Sequence, residues 1–320
     1  MGGKEKMLKT RINELFQVEY PIFQGGMAWV ATAELAAAVS EAGGIGFIGA
    51  GSAPGEVVRE QIRKAKTLTT KPFGVNVYYL SPFVEEVIQV LLEEGVDLIT
   101  TGAGNPGKHI PLLKEKGIKV IPVVSSVALA KRMEKLEVDA VIAEGMECGG
   151  HVGELTTMAL LPQVVDAVNL PVIAAGGIAD GRQLAAVLCM GAEGVQMGTR
   201  FICAEECIAH TNYKKEILRA KDRDTVLTGY NGHYVRVLKN ELAHKFARLM
   251  KEGADEKELE ALGVGRLRAA VIEGDTRMGS LMAGQVAAMV NKVQPAREII
   301  REVVTEAEEV LAQRPKQVMV

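Results

Sequence analysis

One glycine-rich stretch, residues 143–153, carries the side chains with the clearest capacity for chemistry. It reads Ala143-Glu-Gly-Met-Glu-Cys-Gly-Gly-His-Val-Gly153 and follows an apolar, β-branched run. Its four glycines let the backbone adopt positive φ and come close to a ligand. His151 is the one side chain in it that exchanges a proton near neutral pH. The stretch is therefore a candidate active-site loop with His151 as its catalytic residue.

Plainer interpretations stay open for this stretch taken alone. A Gly-Gly pair is also typical of a tight turn, in which His151 would only bond a backbone carbonyl. Glu144, Glu147, Cys148 and His151 are metal-ligand types, but no second cysteine or histidine pair lies at zinc spacing, so we predict no metal site. Cys148 as a nucleophile has equally little support.

Composition restricts the class of protein. A chain of 320 residues that is 48% hydrophobic and only 4% aromatic can bury a large aliphatic core. Its net charge of −3 gives no reason to expect a nucleic-acid partner. No stretch approaches the roughly 20 apolar residues of a membrane span, and the first residues lack the core of a signal peptide. We therefore predict a cytoplasmic protein with no membrane association and reduced cysteines.

Short β-branched runs alternate with helix-length amphipathic segments through the first 199 residues. Eight such runs, each too apolar to face water, predict an α/β fold, a parallel (β/α)8 TIM barrel. An open doubly wound sheet is the alternative, but glycine-rich or polar loops follow nearly every run, whereas an open sheet concentrates them at one switch point. The predicted strands are 21–23, 45–48, 73–77, 96–100, 119–124, 139–143, 172–175 and 194–197.

The pattern changes after Thr199 to charged, helix-prone sequence with little strand character, broken at Gly229, Gly232 and 263–265. From Gly274 the chain becomes apolar and helical again, and it ends in an amphipathic helix. The predicted division is a barrel over 1–203, an inserted helical lid domain over 204–273, and C-terminal helices over 274–320 that pack back on the barrel, the last from Pro295 to Leu311.

Two loops are placed to bind a phosphate. Barrels of this kind bind phosphate with the loops after strands seven and eight, where free backbone N–H groups face the ligand. The corresponding loops here are 174–178 and 196–199, both rich in glycine. The loop after the first strand, Gly25-Gly-Met27, offers main chain and a thioether to a flat ring, and Asn76 offers an amide in an otherwise apolar strand. Together they predict a phosphorylated ligand with a planar group.

These motifs resemble the nitronate monooxygenase and enoyl reductase superfamily of FMN barrels. Within it, the chain is most similar to the FMN-dependent enoyl-acyl carrier protein reductases II, and the similarity covers almost its whole length. The motifs that carry it are Gln24-Gly-Gly-Met-Ala28, Pro72-Phe-Gly-Val-Asn76, Thr101-Gly-Ala-Gly-Asn-Pro106, the 144–153 loop, Ala174-Ala-Gly-Gly-Ile-Ala-Asp180, Gln196-Met-Gly-Thr-Arg-Phe201, His210-x-x-Tyr213-Lys and Gly279-Ser-x-Met-Ala-Gly-Gln285.

The resemblance implies FMN as cofactor, NADH or NADPH as co-substrate, a monovalent cation whose ligands the sequence does not assign, and a homodimer. His151 would face the substrate over the flavin ring. The residues implied for FMN are Gly176, Gly177, Gly198 and Thr199 at the phosphate, Gly25, Gly26 and Met27 at the isoalloxazine, Asn76, Glu144 and Gln196 at its polar edge or ribityl chain, and Gly150 and Met197 beside them.

Three functions remain open at this point. The resemblance implies reduction of a trans-2-enoyl thioester on acyl carrier protein, with a proton added at the α-carbon. In the nitronate branch the same histidine would take a proton from a nitroalkane and oxygen would reoxidise the flavin. A flavin-binding protein without turnover is the third, against which His151 argues.

The lid has a basic composition that bears on the partner. Residues 210–250 hold nine Lys or Arg against four acids. Acyl carrier proteins are acidic, so we predict that some of these cations dock the carrier. A solvated helical surface is the alternative for any single residue. The nine cations are Lys214, Lys215, Arg219, Lys221, Arg223, Arg236, Lys239, Lys245 and Arg248.

Overall fold

A parallel eight-stranded barrel forms the body of the protein, of which a computed structural model describes residues 8–230 and 233–318. The sheet runs in the order β1, β9, β8, β6, β5, β4, β3, β2, and a bridge between Phe23 and Ile45 brings its two edges together. The barrel is thus nearly closed, and the predicted α/β fold is confirmed. Its strands are β1 Ile22–Gln24, β2 Gly46–Gly51, β3 Phe73–Tyr78, β4 Leu98–Gly102, β5 Lys119–Val124, β6 Val141–Glu144, β8 Val172–Ala175 and β9 Gly194–Met197.

Helices separate the barrel strands and cover their outer face. The long C-terminal helix packs against the eighth and second helices, so it completes the outer ring. None of the helices in the described ranges is long and apolar enough to cross a membrane. The helices are α1 Arg11–Phe16, α2 Ala33–Glu41, α3 Gly55–Leu68, α4 Val84–Glu94, α5 Ile110–Glu115, α6 Val127–Lys135, α7 Thr157–Val165, α8 Gly181–Cys189, α9 Thr199–Ile202, α10 Thr211–Arg219, α11 Glu241–Glu252, α12 Glu256–Gly263, α13 Arg266–Arg268 and α14 Ala296–Val318, with a π-helix at Ala269–Glu273 and a 3-10 helix at Gln285–Met289.

Side chains fill the barrel interior, so that it is a core and not a channel. Phe23 and Phe47 meet there with ring centroids 5.6 Å apart. Phe16 of α1 packs edge-on against Phe23 at 5.7 Å, and Ile12 of the same helix is fully buried beside it. Because this helix occupies one end of the barrel, only the opposite end, where the strands finish, is available for a ligand.

The lid differs from the prediction in one respect. It is largely helical, with α10 to α13, but Thr225–Tyr230 (β10) and His233–Leu238 (β11) form an antiparallel pair, which we call the lid hairpin. The expectation of little strand character was wrong here, because both strands are rich in the β-branched and aromatic residues that favour strands, such as Val226, Tyr234 and Val237. The predicted break at Gly232 lies outside the described residues.

A second difference concerns the segment before α14. We predicted helix from Gly274 to Asn291, but only the single turn of 3-10 helix at Gln285–Met289 forms there. Close packing explains the extended path, since a Cβ on Gly284 would lie 2.6 Å from the carbonyl oxygen of Glu147. The final helix is confirmed and continues to Val318. The domain boundaries at 203 and 273 stay predictions.

Candidate active site

A pocket opens where the barrel strands end, and half of the twelve residues predicted for cofactor binding line it. Its wall combines the loop after β6, the loops after β8 and β9, and the segment around Gly284. Six of the residues predicted for cofactor binding line it directly. They are Glu144, Gly176, Gly177, Gln196, Gly198 and Thr199, joined by Glu147, Cys148, Gly149, Ile178, Gly284 and Val286.

The loop after β8 forms a cradle that only glycine permits. Gly176 and Gly177 have φ of +85° and +76°, a region that other residues rarely adopt. A Cβ on Gly176 would lie 2.4 Å from the carbonyl oxygen of Gly145. Within the described part of the chain, the N–H groups of Gly177 and Ile178 have no protein acceptor. The loop therefore presents free donors to an anion.

Thr199 completes this cradle from the neighbouring strand. Its hydroxyl oxygen accepts a hydrogen bond from the N–H of Gly284 at 2.9 Å, which orients the hydroxyl while leaving its proton free to donate. Gly198 precedes it, and a Cβ there would meet only the sulfur of Met27 at 3.5 Å. The two loops predicted to bind one phosphate therefore lie together in the structure.

Two amide side chains lie next to the cradle. Asn76 donates from Nδ2 to Thr100 Oγ1 at 2.9 Å. Gln196 is 8% exposed, and its Oε1 has no hydrogen-bond partner among the described residues. A buried amide oxygen without a donor costs roughly 1–3 kcal/mol, so this atom calls for a ligand N–H or O–H.

The glycines after β1 let the chain pass close to these amides. A Cβ on Gly26 would lie 2.0 Å from the Cβ of Asn76, and one on Gly25 would lie 3.5 Å from the Gln196 side chain. Met197 departs from its predicted role, because its side chain packs in the core outside the barrel. It contributes only its carbonyl oxygen, which accepts from Gly25 N at 2.9 Å.

Glu144 is a buried acid in the wall of the pocket. Burial raises its pKa to about 7, and a hydrogen bond with Cys148 opposes that shift. The Cys148 thiol is itself buried, and both its burial and the nearby Glu144 raise its pKa. Its Sγ donates to the carbonyl oxygen of His151 at 3.4 Å. A thiol held in the protonated form is a poor nucleophile, so Cys148 has a structural role.

Glu147 is engaged with the start of a helix. Its carboxylate accepts from the backbone N–H of Thr157 at 2.8 Å and from the Thr157 hydroxyl at 2.9 Å, which caps α7. This contact fixes the loop that precedes His151 against the barrel.

His151 does not line the pocket itself but follows the pocket-lining Cys148 and Gly149, on a strand of its own. Gly150–His151 (β7) pairs with β11 of the lid hairpin, Val235 lying opposite His151. The imidazole stacks on Tyr78 at the end of β3, with centroids 5.9 Å apart and planes at 25°. Burial by the surrounding protein, and then the charge of His233, lower the pKa of His151. Its outer side stays exposed, so a neutral imidazole is open to solvent at the end of the loop that lines the pocket.

Sequence reasoning missed Tyr78 and Arg236, which hold the histidine and its loop. Tyr78 followed a predicted strand and carried no motif. Arg236 is the single charge among the apolar residues of β11, and a charge in such a strand was a usable signal.

Comparison with known proteins assigns the fold to a family. The family model for nitronate monooxygenase matches residues 9–306. The chain belongs to the nitronate monooxygenase family. A probable nitronate monooxygenase of Staphylococcus saprophyticus is 36% identical over 95% of this chain and 99% of its own length. A carboxyl-CoA dehydrogenase of Mycobacterium tuberculosis, which acts on a hydroxy-methyl-oxo-octahydroindene compound, is 34% identical over 94% of this chain and 96% of its own length. Among solved structures, FabK from Thermotoga maritima is 47% identical with a TM-score of 0.95, over 98% of this chain and 100% of that one.

The nitronate monooxygenase family is a class of FMN-dependent oxidoreductases, and the pocket fits that cofactor. The free N–H groups after β8 and the Thr199 hydroxyl suit a phosphate monoester. The partnerless Oε1 of Gln196 suits a ring N–H or a ribityl hydroxyl. The close approach of Gly26 to Asn76 admits no side chain at position 26, which suits a loop whose main chain lies against a ligand.

Proposed function

We propose that the protein reduces the double bond of a trans-2-enoyl thioester, using NADH or NADPH as reductant. The observation that carries the proposal is the position of His151, neutral and exposed beside Tyr78, at the end of the loop whose preceding residues line the pocket that fits FMN. The identity of 47% to FabK, against 36% to the probable nitronate monooxygenase, supports a branch distinct from the nitronate enzymes. So do the loop motifs that resemble the enoyl-acyl carrier protein reductases.

The protein's own part in such a reaction is to bind, orient and donate. FMN, when bound, supplies hydride transfer from a reduced nicotinamide to the β-carbon of the substrate. Because the pKa of His151 is lowered, its imidazole is neutral at pH 7 and donates a hydrogen bond through a ring N–H. A donor to the thioester oxygen stabilises the enolate that forms as the β-carbon gains hydride.

Two neighbours keep that donor in place. Tyr78 stacks against one face of the imidazole, and the Cys148 thiol donates to the carbonyl oxygen of His151. The Thr199 hydroxyl and the glycine cradle would hold the cofactor phosphate. The histidine thus acts on substrate and not on the phosphate.

His151→Ala tests this division of labour. The variant should retain FMN and fold but lose about 10²- to 10³-fold in kcat on an enoyl-coenzyme A thioester, the size of a lost oxyanion donor. His244→Ala is the matched control, since His244 is exposed on α11 away from the pocket. Normal turnover by His151→Ala would remove the basis of the proposal.

A second candidate is nitronate oxidation, which the family match favours. A neutral histidine with a lowered pKa also fits a base that takes a proton from a nitroalkane. Anaerobic mixing separates the candidates: the flavin is reduced with NADH or NADPH, and the enoyl thioester is then added. Rapid reoxidation by the thioester supports the reductase. Slow reduction of the flavin by the nicotinamide, together with turnover on a nitronate in air, supports the monooxygenase. If neither substrate turns over, a binding protein without turnover is supported.

We also propose acyl carrier protein as the partner that delivers the substrate. The structure removes two of the nine predicted docking cations, because Lys214 and Arg236 are buried. Lys214 donates to the carbonyl oxygen of Ala204 at 2.6 Å, and Arg236 is 4% exposed. Seven remain exposed, a local excess that attracts an acidic partner. They are Lys215, Arg219, Lys221, Arg223, Lys239, Lys245 and Arg248.

Charge reversal tests this partner. Lys215→Glu, Arg219→Glu and Lys221→Glu, combined in one variant, should raise KM for the carrier-bound enoyl substrate several-fold, and more so at low salt. KM for the coenzyme A thioester should stay nearly unchanged, because that substrate has no acidic protein surface.

Three cations on the other side of the barrel form the control. Lys71, Lys116 and Lys135 are exposed and precede barrel strands, opposite the mouth. Reversing them changes net charge equally but should leave both KM values alone. Equal losses on both substrates in the lid variant would indicate damage to the lid, and no loss would place docking elsewhere. The homodimer and the monovalent cation stay predictions.

A further inference from the structure

The backbone around His151 pairs with the lid hairpin, while the start of the same loop is held against the barrel by Glu147. His151 lies opposite Val235, and Gly150 lies opposite Arg236 in the antiparallel register. The N–H of Val152 donates to the carbonyl oxygen of Tyr234 at 3.1 Å. The backbone on both sides of the histidine therefore forms part of a three-stranded sheet whose other strands belong to the lid.

Arg236 lies beneath this sheet. Side chains alternate along a strand, so Arg236 points to the face opposite Val235 and His151. Its guanidinium donates from Nε to the carbonyl oxygen of Met146 at 3.0 Å and from Nη1 to Thr225 Oγ1 at 3.3 Å. One side chain thus joins the lid hairpin to the start of the loop that ends at His151.

The burial of this arginine is costly. Arg236 is 4% exposed, and no carboxylate within the described ranges lies at ion-pairing distance from it. Glu147 is the carboxylate whose charge acts on Arg236, but its oxygens accept hydrogen bonds at the start of α7 instead. A buried charge without a paired carboxylate does not stabilise a fold better than an apolar residue of equal size. A charge retained here is better explained by the geometry that it imposes.

We propose that Arg236 is a positioning residue for His151: by bonding the Met146 carbonyl, its guanidinium sets the distance between the lid hairpin and the loop and so the place of the imidazole over the pocket. The proposal rests on the proposed function in taking His151 as the group that faces substrate. Arg236 is buried under the sheet and is not among the residues that line the pocket, so its effect passes through the loop that carries the histidine.

Arg236→Met tests the proposal in the FMN-loaded protein. Methionine preserves much of the volume but removes both hydrogen bonds. FMN content should be unchanged, because the phosphate cradle is formed by other loops. The kcat on an enoyl-coenzyme A thioester should fall about 10- to 100-fold, since a misplacement near 1 Å has effects of that order, and KM for the nicotinamide should stay constant. Arg236→Lys, which keeps one donor near Met146, should recover part of the loss.

A double-mutant cycle separates positioning from general damage. In a His151→Ala background, Arg236→Met should lower kcat by less than twofold, because the group that it positions is already absent. Fully additive losses would overturn the proposal. Arg277→Met is the matched control: Arg277 is exposed, and among the described residues its side chain bonds only Glu241, so its replacement should leave kcat unchanged.

The ionisation of His151 gives a readout that does not depend on the proposed reaction. In Arg236→Met the imidazole loses its fixed, partly buried place, and burial is the first cause of its lowered pKa, so that pKa, measured by NMR of labelled histidine, should rise toward the ordinary value. An unchanged pKa together with unchanged kcat would refute the positioning role. If His151→Ala alone keeps full activity, the proposed function fails, while the pKa shift still tests Arg236.

A milder variant guards against misfolding of Arg236→Met. Thr225→Val removes only the partner of Nη1 and keeps the guanidinium. It should shift the pKa of His151 in the same direction by a smaller amount. A shift in the opposite direction would contradict the proposal.

Discussion

Gly176→Ala is the substitution that tests the phosphate cradle most directly. An alanine at φ +85° costs roughly 1–2 kcal/mol, because its Cβ crowds the adjacent carbonyl. The new Cβ would also lie 2.4 Å from the Gly145 oxygen, so one of the two loops must move by close to 1 Å. Overpacking of this kind costs roughly 1–3 kcal/mol. The expected total is about 2–5 kcal/mol, borne by the loop that presents the free N–H groups.

The overpacking part of this cost, caused by the contact with the Gly145 oxygen, should appear as weaker binding of FMN. If the loop relieves the contact by moving, the N–H donors of Gly177 leave their positions, and 1.4 kcal/mol corresponds to a tenfold change in the dissociation constant. We expect a 10- to 100-fold weaker complex. Quenching of flavin fluorescence on titration of FMN into flavin-free protein measures it, and urea unfolding of the same samples measures stability.

Gly117→Ala is the control that isolates the backbone term. Gly117 has φ +73°, and a Cβ there would meet nothing within 4 Å. It should lower the free energy of unfolding by about 1–2 kcal/mol and leave FMN affinity alone. If Gly176→Ala bound FMN as tightly as the unaltered protein, or if both variants lost affinity equally, the assignment of the cradle would be refuted.

Two further predictions concern the cofactor and the buried acid. Flavin released by heat should chromatograph as FMN, because the described ranges contain one phosphate cradle and no separate pyrophosphate-binding βαβ unit. Finding FAD would contradict the site assignment. Glu144 has a pKa raised from 4.5 to about 7, so the flavin-free protein binds more protons folded than unfolded between these values. Its stability should therefore fall as pH rises from 5 to 8, by up to about 3 kcal/mol from this residue. Glu144→Gln should flatten that slope in urea unfolding, and an unchanged slope would show that the carboxyl is ionised when buried.

The barrel was predictable because its strands are buried on both faces. Val172–Ala175 is buried at every position, and such a run is apolar throughout, which is a local signal. The cradle was predictable in the same way, because a pair of glycines such as Gly176 and Gly177 indicates a loop that requires positive φ. Neither inference required knowledge of distant contacts.

The lid hairpin could also have been predicted, but the placement of His151 could not. Two segments rich in β-branched and aromatic residues flank an Asn231-Gly232 dipeptide, the strongest short-range signal for a hairpin. Gly150–His151 by contrast is only two residues long, and it is a strand because β11, more than 80 residues later, lies beside it. A segment of two residues is too short to show the period of a strand, so this pairing leaves no local signal. The bond from Arg236 to Met146 is of the same kind.

The pairing of β7 with β11 also affects how such enzymes can be recombined. A barrel loop and a lid strand that share a ladder must be exchanged together, since a foreign lid would bring its own register and its own residue opposite Gly150. A chimera that takes residues 204–273 from a relative would therefore replace the strand that pairs with Gly150–His151 together with the rest of the lid. Changes in the substrate range of a chimera could then arise without any substitution in the barrel itself.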